Sequence, residues 1–245
     1  MEKYKVDIIV PIYNEGHQLV ELLKLFEKKI KTKFNLLLCY DSESDDVFKY
    51  KKELNEIKFP ILYVKNPKNG PCSAVVAGLY FSNSDCKIVY PADDFLNVDL
   101  IDKMFETFSL KKSDIVVASR FMKGGTMKGC PFVKEIFVRF ASWSLYAFSS
   151  IPVQDASNGF RLFSKKLLES VKIESKRGFA YSLELLVKCE RLKMNISELP
   201  AQWEERSYGS SNFHVFKWLS QYLKWYFYGL KTFWLRKNNP INLGE

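Results

Sequence analysis

The sequence contains no apolar run long enough to cross a membrane as a helix. A transmembrane helix needs about 20 predominantly apolar residues. The longest uncharged stretch near the middle, residues 140–154, is shorter, rich in serine and contains Pro152, and we predict a buried helix there. The amino terminus also lacks the long apolar segment of a signal peptide, because Met1 to Lys5 lead directly into a strand-like run. The sequence therefore argues against a membrane-spanning protein and against secretion.

Cysteine is scarce, and no two cysteines have the spacing Cys-x-x-Cys. The chain has five cysteines, an odd number, and they are widely spaced. Several of them lie within apolar, strand-like runs. This pattern predicts reduced and mostly buried thiols in a cytoplasmic protein. The five residues are Cys39, Cys72, Cys86, Cys130 and Cys189.

The chain shows no internal repeat, low-complexity tract or evident linker. Its 245 residues are 47% hydrophobic and 16% aromatic, which is enough to bury most of the apolar surface in one large domain with an appendage. The net charge of +9 favours an anionic partner such as a nucleotide diphosphate, an acidic membrane surface or nucleic acid, although solubility alone also explains it. Nucleic acid ranks last, because the basic residues are dispersed and no recognised module is present.

Strand and helix patterns alternate along the first half of the chain. Such alternation predicts an α/β fold with a mostly parallel sheet covered by helices on both faces. The predicted strands are residues 6–13, 34–40, 61–64, 86–91 and 115–118, and the predicted helices are residues 16–30, 46–57, 72–81 and 98–108. A glycine-rich segment, residues 123–129, predicts a mobile loop over the site, and a further helix is predicted at residues 181–192.

Polar or acidic residues follow four successive predicted strands, at residues 11–15, 41–46, 66–70 and 91–94. Ligands of parallel sheets bind outside the carboxyl ends of the strands, so we expect these segments to form one site. In the fourth segment, the adjacent carboxylates of Asp93 and Asp94 could hold Mg²⁺ or Mn²⁺ against a diphosphate leaving group. The same pair is also typical of turns and helix N-caps.

Several motifs, in order along the chain, resemble those of family 2 glycosyltransferases, which have the GT-A fold. The first half has residues 10–15, an acidic turn after strand two, Asn69-Gly70 and the Asp93-Asp94 pair. The second half has residues 119–121, Asp155, residues 157–161, Glu184, residues 198–200, Arg206 and residues 209–211. This order is similar to the dolichol- or polyprenyl-phosphate sugar transferase branch. The resemblance suggests a GT-A domain over residues 1–212, followed by a helix and tail over residues 213–245.

The resemblance implies an inverting, hexosyltransferase-like enzyme that moves a sugar from a nucleotide-diphospho-sugar to an acceptor. It implies donor contacts for Pro11, Tyr13, Glu15, Asp41, Asn69, Gly70 and Asp93, with Asp93 also the ligand of Mg²⁺ or Mn²⁺. It implies catalytic roles for Asp94, Asp155 and Arg120, and acceptor or phosphate contacts for Arg139, Arg161, Glu184, Arg206, Ser210 and Ser211. An acceptor hydroxyl would need Asp155 or Asp94 to take its proton, whereas a phosphate acceptor is already ionised.

Simpler roles for several of these residues stay open. Tyr13 and Glu15 could merely begin the first helix, and any of the four arginines could form a surface salt bridge. Glu184 could pair with Lys188 four residues later on the same helix.

The chain departs from the family pattern at three places. Pro91 stands where the family has the first Asp of its metal motif, so the metal would depend on Asp93, with or without Asp94, and on the donor phosphates. The acidic turn at residues 40–45 lacks a Gly and one Asp, which bears on base or sugar preference. Asn212 stands where the lipid branch often has Lys, which removes one positive charge.

Residues 213–235 are rich in aromatic side chains and form one predicted helix. Polar residues recur every three or four positions and form a narrow stripe opposite a wide aromatic face. These polar residues are His214, Lys217, Gln221, Lys224, Tyr228 and Lys231. Tyr and Trp favour the lipid headgroup region and Lys favours anionic lipids, so we predict an interfacial helix. The alternative is packing of the aromatic face on the domain or on a second subunit, which would make a homo-oligomer.

Three functions follow from the sequence. The first is a glycosyltransferase that is peripheral at the inner face of a membrane and uses a polyprenyl-phosphate or lipid-linked acceptor. The second is a glycosyltransferase that acts on a soluble or surface-polysaccharide glycan. The third, motivated by Pro91, is a non-catalytic protein that binds a sugar nucleotide.

Overall fold

The computed structural model describes residues 5–205 and 215–235, which contain nine strands and eight α-helices. The strands are β1 (Val6–Pro11), β2 (Asn35–Tyr40), β3 (Ile61–Lys65), β4 (Cys86–Val89), β5 (Ile115–Ser119), β6 (Thr126–Lys128), β7 (Arg161–Ser164), β8 (Ile196–Pro200) and β9 (Gln202–Glu204). The helices are α1 (Gly16–Lys29), α2 (Lys51–Asn55), α3 (Pro71–Phe81), α4 (Leu100–Lys111), α5 (Phe132–Phe148), α6 (Lys165–Ser170), α7 (Ala180–Arg191) and α8 (Val215–Trp234). A 3-10 helix, Asp46–Tyr50, leads into α2.

Seven of the strands form one sheet in the order β3-β2-β1-β4-β7-β5-β8. Only β7 runs antiparallel to its neighbours, β4 and β5. The other neighbours pair in parallel. The predicted α/β fold with a mostly parallel sheet is therefore confirmed.

Side chains of β1 alternate between two hydrophobic cores, because successive residues of a strand point to opposite faces of the sheet. Ile8 and Val10 pack in the core that contains buried residues of α1 and α4. Ile9 packs in the core that contains buried residues of α3, α6 and α7. The sheet is covered by helices on both faces, as the alternating sequence pattern predicts.

Helix α8 packs on α7 and carries part of its aromatic face into the protein. The Trp225 side chain is 2% exposed and donates a hydrogen bond from Nε1 to the hydroxyl of Ser175 at 2.8 Å. A Cβ atom on Gly229 would lie 3.3 Å from Val187 and 3.4 Å from Leu145, so the helices approach closely there. The predicted C-terminal helix is confirmed. The side of it that carries Trp225 packs on the domain, which is the alternative to lipid binding given by the sequence.

Helix α5 contradicts the prediction of a buried helix over residues 140–154. The helix begins at Phe132 and ends at Phe148, and only Ser142, Ser144 and Leu145 are buried. Eight of its apolar and aromatic side chains are 44–76% exposed, namely Phe132, Val133, Ile136, Phe137, Phe140, Trp143, Tyr146 and Phe148. The prediction is wrong because α5 contacts α8 along a narrow stripe and no other described element covers its outer face.

The glycine-rich segment at residues 123–129 is not wholly a loop, because β6 lies within it. This strand pairs in parallel with β9 in a separate two-stranded sheet. The chain turns tightly before it: a Cβ atom on Gly125 would lie 2.4 Å from the backbone oxygen of Ser119, so only glycine fits.

Two further expectations from the sequence can be compared with the structure. All five cysteines are free thiols, four of them buried and Cys130 partly exposed, as predicted. No helix in the described ranges is both long and apolar enough to span a bilayer.

Candidate functional site

The four polar segments predicted to share a site follow β1, β2, β3 and β4, which are neighbours in the sheet. Because these strands are parallel, their carboxyl ends lie at one edge. The carboxyl end of β5 and the beginning of the antiparallel β7 lie at the same edge. The topology thus brings the predicted donor residues to one side of the protein, together with Arg120 and Asp155.

Carboxylates of the acidic turn after β2 hold the loop after β1 in place. Asp45 accepts a hydrogen bond from the backbone N–H of Asn14, and Asp46 accepts one from that of Gly16, both at 2.9 Å. Gly16 is required here, since a Cβ atom would lie 2.8 Å from the Asp46 carboxylate. The ring of Tyr13 is left exposed, so the loop offers an ordered aromatic surface.

Asp41 fixes the loop between β3 and α3. Its carboxylate accepts a hydrogen bond from Asn66 Nδ2 at 2.6 Å and one from the backbone N–H of Gly70 at 2.9 Å. Gly70 has φ of 105° and caps α3, a conformation that favours glycine. Asn69 next to it is exposed. A carboxylate has about four lone-pair sites, so Asp41 keeps capacity for a ligand hydroxyl.

Asp94 stabilises the turn after β4, as the turn interpretation of the sequence expects, but it does not cap α4, whose N-cap residue is Asp99. Its carboxylate accepts hydrogen bonds from the backbone N–H groups of Leu96 and Asn97 at 2.9 and 3.0 Å, and from Asn97 Nδ2 at 2.7 Å. Burial raises the pKa of Asp94, and the hydrogen bonds from Asn97 oppose that rise. The Asn97 side chain also makes two hydrogen bonds with the backbone of Gln202, of 2.7 and 2.8 Å. The turn is thereby joined to β9.

Asp93 is the half-buried carboxylate of this turn that the sequence predicts as the metal ligand. Among the described residues, no three His, Cys, Asp or Glu side chains are grouped so that they could hold a metal by themselves. Pro91 offers no ligand atom, and the Asp94 oxygens are engaged by Asn97 and Leu96. The donor set therefore fits a hard divalent cation that takes most of its ligands from a bound diphosphate and water.

Asp155 and Arg120 form a buried bidentate ion pair. Arg120 donates from Nε and Nη2 to the two carboxylate oxygens, at 2.7 and 3.0 Å, and its backbone N–H donates at 3.1 Å. The Asp155 side chain is 0% exposed and that of Arg120 is 10% exposed. Burial opposes ionisation of Asp155, but the charge and hydrogen bonds of Arg120 outweigh it and lower the pKa of Asp155 to about 2.

This geometry does not suit Asp155 as the group that takes a proton from an acceptor. A buried carboxylate with a pKa of about 2 is a weak base, and its oxygens are already occupied. Asp155 also accepts hydrogen bonds from Ser157, at 2.8 Å from its hydroxyl and 3.1 Å from its backbone N–H. In this structure Asp155 holds Arg120, and its predicted catalytic role stays a prediction.

Arg120 and Arg139 meet at the ring of Phe121. The Cζ atoms of Arg120 and Arg139 lie 5.0 and 4.6 Å from the centroid of that ring. Arg139 is on α5 and also donates to Glu135 at 2.7 Å. Two guanidinium groups are thus gathered at Phe121, one of them carried by α5.

Arg161 and Glu184 are buried, which contradicts their predicted contacts with acceptor or phosphate. Arg161 is 0% exposed and donates to the backbone oxygens of Ser182 and Ala156; burial lowers its pKa to about 10. Glu184 is also 0% exposed and pairs with Lys188 at 2.7 Å, which is the simpler alternative given by the sequence. Both side chains join elements of the core.

Three predicted phosphate-binding residues, Arg206, Ser210 and Ser211, lie outside the described residues. Asn97 and Phe121 contact predicted site residues, and the sequence prediction assigned neither of them a role. The spacing Asp94-x-x-Asn97 could have indicated a capped turn, but nothing in the sequence pointed to Gln202, 105 residues away.

Comparisons with known proteins give a consistent family. The sequence profile of glycosyl transferase family 2 matches residues 7–172. A dolichol-phosphate mannosyltransferase of Pyrococcus furiosus is 26% identical over 233 residues, which are 90% of this chain and 64% of the relative. A dolichyl-phosphate beta-glucosyltransferase of Trichomonas vaginalis is 25% identical over 219 residues, which are 82% of this chain and 66% of the relative. The chain thus spans about two thirds of the length of these relatives.

Solved structures of a glucosyl-3-phosphoglycerate synthase from Mycobacterium tuberculosis share the fold. The complex with Mn²⁺, uridine diphosphate and glucosyl-3-phosphoglycerate has a TM-score of 0.68 and 14% identity, and the match covers 94% of this chain and 81% of that one. The complex with Mg²⁺ and uridine diphosphate has a TM-score of 0.65 and 12% identity over 94% and 80% of the two chains. At this level of identity the likeness concerns the GT-A fold alone.

Proposed function

The chain belongs to glycosyl transferase family 2, and we propose that it transfers a sugar, with inversion, from a nucleotide-diphospho-sugar to a polyprenyl-phosphate or related lipid phosphate. One observation carries the choice of acceptor: the two carboxylates considered as bases, Asp94 and Asp155, are both engaged in holding neighbouring groups. A hydroxyl acceptor needs a base, whereas a phosphate is already ionised. The relatives named as dolichol-phosphate mannosyltransferase and dolichyl-phosphate glucosyltransferase support the same acceptor class.

The donor would lie across the carboxyl ends of β1 to β4. The exposed ring of Tyr13 offers a surface for the base, and Glu15 and Asp41 offer carboxylates for base N–H groups or ribose hydroxyls. Asp41 also holds Gly70 and, through Asn66, shapes the loop beside it. Pro11 and Asn69 would complete this wall of the site.

The structural neighbours crystallised with Mn²⁺ or Mg²⁺ support the use of a divalent cation. Asp93 would hold it together with diphosphate oxygens of the donor. When bound, such an ion neutralises the charge that develops on the leaving diphosphate. Arg120 and Arg139 would bind the acceptor phosphate or the donor diphosphate from the other side, next to Phe121.

A lipid acceptor places the protein at a membrane surface, and the outer face of α5 supports this location. Helix α8 also exposes Leu219, Leu223 and Phe227. The two helices touch where Ser144 and Tyr226 share a hydrogen bond of 2.8 Å. Aromatic side chains favour the headgroup region, and the net charge of +9 favours anionic lipid. We propose peripheral binding at the cytoplasmic face of a membrane.

A transfer assay tests the proposed function. The protein is incubated with a panel of nucleotide sugars, with Mg²⁺ or Mn²⁺, and with either a short-chain polyprenyl phosphate or a soluble glycan. We expect glycosylated lipid phosphate together with release of nucleoside diphosphate, and loss of both in Asp93→Ala at unchanged melting temperature. Transfer to the glycan alone would instead support the soluble-acceptor alternative. Nucleotide binding without any transfer would support the non-catalytic one.

A further inference from the structure

Glu198 on β8 is a half-buried link to Arg120 that the proposed function does not use. One oxygen of its carboxylate, Oε1, accepts hydrogen bonds from the backbone N–H groups of Gln154 and Asp155, at 2.7 and 3.1 Å. Glu198 lies opposite Val117 in the register of β8 and β5. Two residues after Val117, β5 ends at Ser119 and the chain continues into Arg120. The same pair of strands therefore anchors both partners of the buried ion pair.

The loop over residues 154–158 is fixed at several points, and some of these contacts reach the Asp155 carboxylate itself. Its Oδ1 accepts hydrogen bonds from the backbone N–H groups of Ser157 and Asn158, at 3.1 and 3.2 Å. Asn158 in turn donates from Nδ2 to the backbone oxygen of Ala118 at 2.8 Å. The Ser157 hydroxyl also accepts from Arg120 Nη2 at 2.6 Å. The carboxylate is thus held in one orientation by groups other than the guanidinium.

The ion pair leaves part of the Arg120 guanidinium unused within the described residues. Nε and Nη2 donate to Asp155 and Ser157, whereas Nη1 makes no hydrogen bond there. Held at Nε and Nη2, the planar group cannot rotate, so Nη1 has a fixed position. A donor fixed beforehand binds phosphate without first losing the conformational entropy of a long side chain.

We propose that Glu198 is a positioning residue of the site: it fixes the Asp155 loop, and Asp155 fixes Arg120 in the orientation that binds phosphate. Glu198 touches no ligand in this scheme, and the acceptor role of its Oε1 matters rather than its charge. The functional consequence rests on the proposed phosphate-binding role of Arg120. The effect of Glu198 on the orientation of Arg120 does not depend on that role, and it is measured separately.

The test compares Glu198→Ala with Glu198→Gln, because glutamine keeps an oxygen that can accept both backbone hydrogen bonds and removes only the charge. The first measurement is NMR of the arginine Nε–H groups, with the Arg120 signal assigned from Arg120→Lys. We expect hydrogen exchange at Arg120 Nε–H to be slow in wild type and Glu198→Gln, and at least about tenfold faster in Glu198→Ala. Equal exchange in all three proteins would overturn the proposal.

The second measurement is steady-state transfer to polyprenyl phosphate, with thermal melting followed in parallel. We expect Glu198→Ala to raise the KM for the phosphate acceptor about tenfold, as for loss of one well-oriented charge-assisted hydrogen bond, and Glu198→Gln to restore it. The matched control is Glu169→Ala, which removes an exposed acid paired with Lys165 at 3.8 Å on α6. Glu198→Gln as impaired as Glu198→Ala would contradict the proposal. If wild type transfers nothing, the proposed function fails, while the exchange measurement still decides the role of Glu198.

Discussion

Helices α5 and α7 differ in how much of their surface is buried. In α7 every residue from Ala180 to Glu190 is buried, including the charged Glu184 and Lys188. In α5 only Ser142, Ser144 and Leu145 are buried, and the large aromatic residues face outwards. The difference arises from position: α7 lies between the sheet-side core and α8, whereas α5 contacts mainly α8. Burial in this protein follows from the number of neighbours a helix has and not from its own composition.

The buried charges of α7 are tolerated because each one is paired and hydrogen-bonded. Glu184 accepts from Lys188 and from the backbone N–H groups of Glu174 and Ser175, at 2.7, 2.7 and 2.8 Å. Lys188 also donates to the backbone oxygen of Lys172 at 2.6 Å and lies 4.9 Å from the Trp225 ring centroid. Such a network joins α7, α8 and the loop between α6 and α7, and removing one partner leaves a buried charge unpaired.

The largest expected effect on folding comes from breaking this network. We expect Lys188→Met to lower the free energy of unfolding by about 3–5 kcal/mol, because Glu184 would remain buried without its partner. Urea denaturation followed by circular dichroism measures the change. The matched control is the double variant Glu184→Gln/Lys188→Met, which removes both charges and should recover most of the loss. A loss below about 1 kcal/mol in Lys188→Met would mean that the pair is not buried in solution.

The buried pair at the site should give a smaller, pH-dependent effect. The pKa of Asp155 is about 2 in the folded protein against an ordinary value of 3.8. Because the folded pKa is the lower one, the stabilisation is fully present above about pH 4 and is lost as pH falls towards 2; it amounts to about 2 kcal/mol.

Denaturation of wild type and Asp155→Asn between pH 6 and pH 2.5 tests this effect. The two stability curves should converge at the acid end, since the variant lacks the titrating group. Curves that stay parallel across this range would place the pKa of Asp155 near its ordinary value.

Arg139 on α5 should contribute little to folding, in contrast to Lys188 on α7. Its ion pair with Glu135 is solvent-exposed, with side chains 45% and 27% accessible, and such pairs contribute about 0–1 kcal/mol. We expect Arg139→Ala to leave the melting temperature nearly unchanged and to raise the KM for a phosphate acceptor. Arg139→Lys keeps the positive charge and loses the bidentate geometry. It therefore separates the contribution of charge to phosphate binding from that of guanidinium geometry. A large fall in stability would show that α5 is anchored through this residue.

The outer face of α5 should contribute least to the free energy of unfolding and most to binding at a membrane surface. We expect the triple variant Phe137→Ser/Phe140→Ser/Trp143→Ser to keep the unfolding free energy within about 0.5 kcal/mol per substitution, and to lose at least about tenfold in partition to anionic vesicles. Phe81→Ser and Leu110→Ser are controls, since these exposed residues lie on α3 and α4. Vesicle binding that is unchanged would exclude α5 as the membrane surface. If the wild type is a dimer and the triple variant is a monomer, the outer face of α5 serves self-association instead.

Much of the fold could be predicted because the pattern of each strand is local. Short apolar runs predicted β1 to β5, and the topology then placed the polar segments after β1 to β4 at one edge. β7 was missed because Arg161 begins it and a charged residue there looks like a loop. The exposure of α5 was missed because a run of aromatic residues is the same whether a partner covers it or not.

At the site, the residue types were predicted better than their roles. Asp94 and Asp155 are at the expected edge, but hydrogen bonds to Asn97 and Arg120 decide that they hold other groups. Those partners are close in space through strand pairing and turns, and for Asp155 the ion pair joins residues 35 positions apart. A sequence pattern contains no such distances.

The sequence by itself determined the family, the α/β architecture and the edge of the sheet where the polar segments after β1 to β4 meet. These properties depend on local periodicity and on motifs of a few residues, which the chain contains explicitly. Only the tertiary structure decided which charges are buried in pairs, which carboxylates are already occupied, and that α5 turns its aromatic residues outwards. Each of these depends on contacts between distant segments, because burial and hydrogen bonding are set by what packs against a side chain.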